Sequence, residues 1–78
     1  MGSNIVHQYF KKEVDGIILI VKVNPIQLKG TELSIHPDGA VDSRDLEFDE
    51  AILEDLKIDG FLESSPLEFN LYQAGLKA

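Results

Sequence analysis

The chain contains no cysteine. Neither a disulfide framework nor a thiolate zinc site can therefore reinforce its core, and a reducing, cytoplasmic setting is the expected one. It also lacks a long apolar run. The longest, IILIV at residues 17–21, is far too short to cross a bilayer or to serve as the apolar region of a secretory signal, so no membrane association is expected. An N-myristoylation pattern is not met either, because Val6 stands where that pattern needs Ser or Thr.

Basic residues are scarce, seven Lys and Arg against fourteen Asp and Glu, for a net charge of −7. The imbalance is uneven. Residues 1–37 carry four Lys against Glu13, Asp15 and Glu32, net +1, whereas residues 38–78 carry eleven acids against Arg44, Lys57 and Lys77, net −8. An acidic half repels phosphate backbones, and the few lysines form no stripe interleaved with aromatics, so no nucleic-acid partner is expected. Most of the acidic half reads as solvated surface. Catalytic groups are few as well. His7 and His36 are the only imidazoles, and the chain has no HExxH and no Gly-rich phosphate loop. Ser64-Ser65-Pro66 reads as a turn, with no base indicated for either serine. The chain is expected to be non-enzymatic and to need no cofactor.

At 78 residues one small domain over 1–78 is expected, burying only ~60–65% of the surface its unfolded form exposes. What the chain does have is strand signal. IVHQYFKKEVDGIILIVKV reads as a hairpin, residues 5–14 and 17–23, with Asp15-Gly16 supplying the positive-φ pair of a type I′ turn. The second strand is apolar on both faces, since Ile18 and Ile20 alternate with Ile17, Leu19 and Val21, and this places it inside the sheet. A third strand, TELSIH, follows a Pro25–Gly30 connection. In the fourth segment, AVDSRDLEF, the apolar residues Val41, Leu46 and Phe48 do not keep one alternating phase, which suggests a bulge near residues 42–45. Asp49 then reads as the N-cap of a short helix, EAILEDLKID, that ends in a Schellman motif with Gly60 at C′ and Leu56 facing Phe61. PLEFNLYQ alternates and predicts a closing strand. The resulting β-β-β-β-α-β order describes an α+β domain with one short helix on one face of a mostly antiparallel sheet of about five strands.

The one stretch that resembles a binding motif is SIHPDGAVDSRD, residues 34–45. An EF-hand loop takes ligands at positions 1, 3, 5, 7, 9 and 12 around a Gly at position 6. With Gly39 in that place, Asp38, Asp42 and Asp45 fall on ligand positions. Ser34 and His36, however, stand where oxygen-rich ligands belong, and the incoming segment is strand. The preferred reading is a turn without metal. Its alternative is a metal- or small-ligand-binding domain, or a weak hydrolase, using His36, Asp38, Asp42 and Asp45.

The composition and pattern thus predict a soluble module that binds an unidentified protein partner, its own copies included. A homodimer is expected because the pattern shows one helix and two apolar sheet faces. Tyr9, Ile18, Ile20 and Tyr72 are the candidate interface residues, the tyrosines at its rim.

Overall fold

The computed structural model describes residues 7–75. Five antiparallel strands form one sheet: β1 (Gln8–Val14), β2 (Ile17–Asn24), β3 (Lys29–Ile35), β4 (Val41–Glu47) and β5 (Leu62–Glu63), with helices α1 (Ile52–Ile58) and α2 (Pro66–Gly75). The order across the sheet is β4-β3-β2-β1-β5. The α+β class and the five-stranded antiparallel sheet agree with the pattern of the sequence. The expected strand start at residues 5 and 6 lies outside the described residues.

β2 is the central strand, as its two apolar faces require. Asp15 and Gly16 close the β1–β2 hairpin with φ of 53° and 82°, and Val14 pairs directly with Ile17. Because successive side chains point to opposite faces, the register separates two apolar sets. Phe10, Val21 and Val23 share one face, on which they pack with Leu56 of α1 and with Phe48, Ile52, Leu53 and Phe61. Ile20, Leu33 and Ile35 share the other, where they pack against Phe69 of α2. Each fully buried aliphatic side chain contributes ~1.5–3 kcal/mol.

α1 ends as its sequence predicts. Phe61 N–H donates to the Leu56 carbonyl at 2.9 Å and Gly60 N–H to the Lys57 carbonyl at 3.1 Å, while Gly60 adopts φ 92°; this is the Schellman pair of bonds. Phe61 packs on the cluster that holds the buried Leu56. At the other end Asp49 Oδ1 accepts from Ala51 N–H at 3.0 Å. This is an Asx turn ahead of the helix; the N-cap position itself is Ala51, which has no side-chain cap bond, and regular helix begins at Ile52, so Asp49 is not the N-cap that the sequence suggests.

Two further expectations are corrected. Residues 42–45 contain no bulge: β4 pairs with β3 in unbroken register from Ile35–Val41 to Lys29–Glu47. The phase conflict resolves because Val41 and Leu46 serve different faces, Val41 joining the cluster beneath α2 and Leu46 lying beside Gly30 on the α1 side. A Cβ at Gly30 would collide with the Lys22 carbonyl oxygen and meet the Phe48 ring, so glycine is what lets that ring close over the strand pair.

The second correction concerns the end of the chain. Residues 66–73 are not a strand; they belong to α2, and the fifth strand is the preceding pair Leu62–Glu63, hydrogen-bonded to β1. Ser65 Oγ accepts from Glu68 N–H at 3.2 Å. Ser65 is therefore the N-cap, Pro66 takes the first helical position where a missing N–H costs nothing, and Glu68 is the N3 acid of an S-x-x-E pattern.

Candidate functional site

The acidic loop is a hairpin loop. His36 N–H donates to the Ala40 carbonyl at 2.8 Å and Gly39 N–H to the His36 carbonyl at 2.9 Å, with Gly39 at φ 93°. Asp38 is drawn into the loop itself, its Oδ1 accepting from Ala40 N–H at 3.0 Å. That is an Asx turn, in which the carboxylate serves the backbone. His36 Nε2 and Asp42 Oδ2 meet at 2.9 Å across the mouth of the hairpin, on the face that carries α1. Asp45 projects from the opposite face, where Thr31 Oγ1 donates to it at 3.3 Å. The four residues aligned with a calcium loop are thus divided between two faces of one strand pair. Among the described residues no three His, Asp or Glu side chains gather in a way that would hold a metal ion.

The four residues expected at an interface do come together, but at the contact between the sheet and α2, to which Tyr72 itself belongs. Ile20 is 0% exposed and lies in the cluster with Phe69, with Tyr9, Ile18 and Tyr72 packed around it. Tyr9 and Phe69 stack with ring centroids 5.5 Å apart and planes tilted by 58°, and Lys22 Nζ sits 5.7 Å from the Phe69 centroid. The expectation that no second helix exists to cover this face is overturned by α2, which covers it within the chain. Ile20 is accordingly closed to any partner while α2 is docked.

α2 is held at its first turn by an ion pair the sequence did not bring forward. Lys11 Nζ donates to Glu68 Oε2 at 2.6 Å and Ser64 Oγ donates to Glu68 Oε1 at 2.8 Å. The hydrogen bond from Lys11, followed by that from Ser64, holds the Glu68 carboxyl below its ordinary pKa, and the bond to Glu68 raises that of Lys11 against the opposing effect of desolvation. These directions strengthen both charges. The triad of side chains clamps β1 to α2. A similar role falls to Lys12, whose ammonium donates to the Asp59 carbonyl at the end of α1 and lies 5.7 Å from the Phe61 ring centroid.

A few apolar side chains stand exposed among the charged ones. Leu62 (74% exposed), Leu67 (68%) and Leu71 (65%) stand on β5 and α2, and Ile26 and Ile58 are exposed elsewhere. Between β1, β5 and the first turn of α2 runs an open groove of about 840 Å3, lined among others by Lys11, Lys12, Glu13, Leu62, Glu63 and Glu68. The Leu67/Leu71 pair at i, i+4 forms a helical ridge, and the S-x-x-E pattern of Ser65 and Glu68 is the sequence signal for the helix that carries it. No helix among the described residues is long and apolar enough to cross a membrane. Compared with protein-family models, curated proteins and solved structures, the chain matches none.

Proposed function

We propose that this chain is a non-enzymatic, cytoplasmic binding module whose partners are proteins, its own copies included. The observation that carries the reading is the outward side of α2. A helix that already buries Phe69 also presents Leu67 and Leu71 to solvent, and an exposed apolar ridge on a small domain marks a contact surface. Electrostatics supports proteins over polyanions, because residues 38–78 carry net −8. The best-organised polar cluster, Lys11–Glu68–Ser64, has its charges stabilised in the sense that favours clamping over proton transfer.

Light scattering coupled to size exclusion tests the reading. A self-associating chain of 8.7 kDa gives 2 × 8.7 = 17.4 kDa, with the mass falling toward 8.7 kDa on dilution. A mass that stays at 8.7 kDa up to ~1 mM, where even weak interfaces are populated, removes self-association. If affinity capture from the native extract then also returns no protein that competes for Leu67 and Leu71, the binding-module reading fails.

A further inference from the structure

We propose that two copies join edge to edge through β4, antiparallel about a two-fold axis at Ser43, so that their sheets run on as one. The inference rests on the binding-module reading, in which the chain's own copies are partners, and it places self-association on a surface away from α2.

β4 is the outer strand of the sheet and spans seven residues in unbroken register with β3. Antiparallel partners alternate between bonded and non-bonded pairs. His36 N–H donates to the Ala40 carbonyl and Phe48 N–H to the Leu28 carbonyl, so the bonded pairs between them are Ser34–Asp42, Glu32–Arg44 and Gly30–Leu46. The N–H and C=O groups of Val41, Ser43, Asp45 and Glu47 therefore point outward, and among the described residues no backbone hydrogen bond reaches them. No proline or bulge interrupts the row, and both helices pack on the faces of the sheet, so the edge is open to a further strand. The opposite edge ends in β5, which is two residues long.

Charged side chains on an edge ordinarily discourage pairing, and here they decide its register. Centring on Asp42, Arg44 or Asp45 sets each of these charges against its own copy. Centring on Leu46 or Glu47 sets Asp45 against Glu47 or Asp49, and centring on Val41 runs the ladder into the turn at Gly39. With Ser43 at the axis, Asp42 of each copy lies opposite Arg44 of the other and Asp45 lies opposite Val41. Opposite charges directly across a strand pair attract, whereas like charges repel. Both groups have room for a second partner. Asp42 is 77% exposed and gives only Oδ2 to His36; Arg44 is 68% exposed and gives Glu32 one nitrogen of a guanidinium with five N–H donors. The net charge of −7 on each copy is screened beyond ~8 Å at physiological salt, which leaves the local pairs to act. A ladder of about six backbone hydrogen bonds is a small contact, so the dimer is weak and concentration-dependent.

Sedimentation velocity from ~10 µM to ~1 mM, the range a small interface spans, reads the association. Asp42→Arg and Arg44→Asp each turn both ion pairs into like-charge pairs and are expected to weaken it by about tenfold or more, with circular dichroism showing that the fold is retained. Mixed in equal amounts, the two variants regain opposite charges across the axis, and a dimer of one copy of each is expected. Ile26→Glu, exposed in the turn between β2 and β3, is expected to leave association unchanged. Because the chain has no cysteine of its own, Ser43→Cys provides a second measurement that leaves every charge in place. The axis brings position 43 against itself at ~5.5 Å between Cα atoms, within reach of a disulfide, and oxidation is expected to give a linked dimer that Ile26→Cys does not give. Association that neither charge reversal weakens, or a mixture of the two variants that stays monomeric, overturns the β4 pairing while leaving self-association standing. A parent chain that stays monomeric, with no linked dimer from Ser43→Cys, overturns both and leaves the test of Leu67 and Leu71 by affinity capture untouched. Amide shifts at Val41, Ser43, Asp45 and Glu47 when a lysine–valine repeat peptide is added to a monomeric parent assign the edge to a basic strand of another protein, and likewise overturn the pairing of copies.

Discussion

Phe69→Ala is the substitution that bears most heavily on this fold. Phe69 is fully buried and is the residue of α2 that enters the core with Ile20, Leu33 and Ile35. A buried phenylalanine removes ~150–250 Å2 from water, which at ~25 cal/mol/Å2 is ~4–6 kcal/mol. Allowing for the methyl that alanine keeps and for partial collapse of the site, ~3–5 kcal/mol is lost. For a chain of 78 residues the whole stability is ~4–12 kcal/mol at ~0.05–0.15 kcal/mol per residue. The loss is therefore comparable to the smaller of those totals. Ten residues cannot hold helix alone in water, so α2 detaches and exposes the sheet face it covers. Urea unfolding at low micromolar concentration, with amide exchange across residues 66–75, measures the effect. The same experiment discriminates between helix and strand. In an alternating strand Leu67, Phe69 and Leu71 share one face and all three truncations are costly, whereas in α2 only Phe69 faces inward and Leu67→Ala and Leu71→Ala fall within ~0.5 kcal/mol of the parent. A cost for Phe69→Ala below ~1.5 kcal/mol, or one for Leu67→Ala near that of Phe69→Ala, refutes the reasoning.

Gly60→Ala removes the residue at φ 92° that lets α1 reverse, and is expected to cost ~1 kcal/mol or more in urea unfolding; a neutral or stabilising result means that α1 does not end in this way. The clamp between Lys11 and Glu68 sets a pH dependence at both ends of the scale. Glu68 is lowered in the folded state, so its contribution is present above the unfolded carboxyl value and is lost as pH falls through the folded one; Lys11 is raised, so its contribution is present below the unfolded lysine value and is lost as pH rises through the folded one. Both side chains are partly exposed, so the pair is worth ~1 kcal/mol at most, and Glu68→Gln should flatten the acid limb of stability against pH; an unchanged acid limb removes the clamp from the account. Calcium at millimolar concentration is expected to leave the melting temperature where EDTA leaves it, because Asp42 and Asp45 point to opposite faces. A site filled at 100 times its Kd would add ~2.7 kcal/mol, and a rise of several degrees would contradict this placement.

The sequence by itself determined the features whose signals are local. Asp15-Gly16 fixes the first hairpin because few other pairs hold two positive φ values, and Gly60 with Leu56 and Phe61 fixes the end of α1 within six consecutive residues. The doubly apolar β2 announced its central place because a strand exposed on either face would not carry Ile18 and Ile20 opposite Ile17 and Leu19. Tertiary structure decided what local pattern leaves degenerate. Leu67, Phe69 and Leu71 alternate, yet the same spacing on a helix sends Phe69 inward and the two leucines outward. Periodicity does not say which apolar residues are buried. Only the presence of an open sheet face over Ile20, Leu33 and Ile35, formed by β2 and β3 far from Phe69 in the chain, gives Phe69 a place to go. That docking in turn buries Ile20 completely, leaves Tyr9, Ile18 and Tyr72 partly buried around it, and turns the leucine ridge outward, because a ten-residue helix lying on a sheet can bury only the side that faces it.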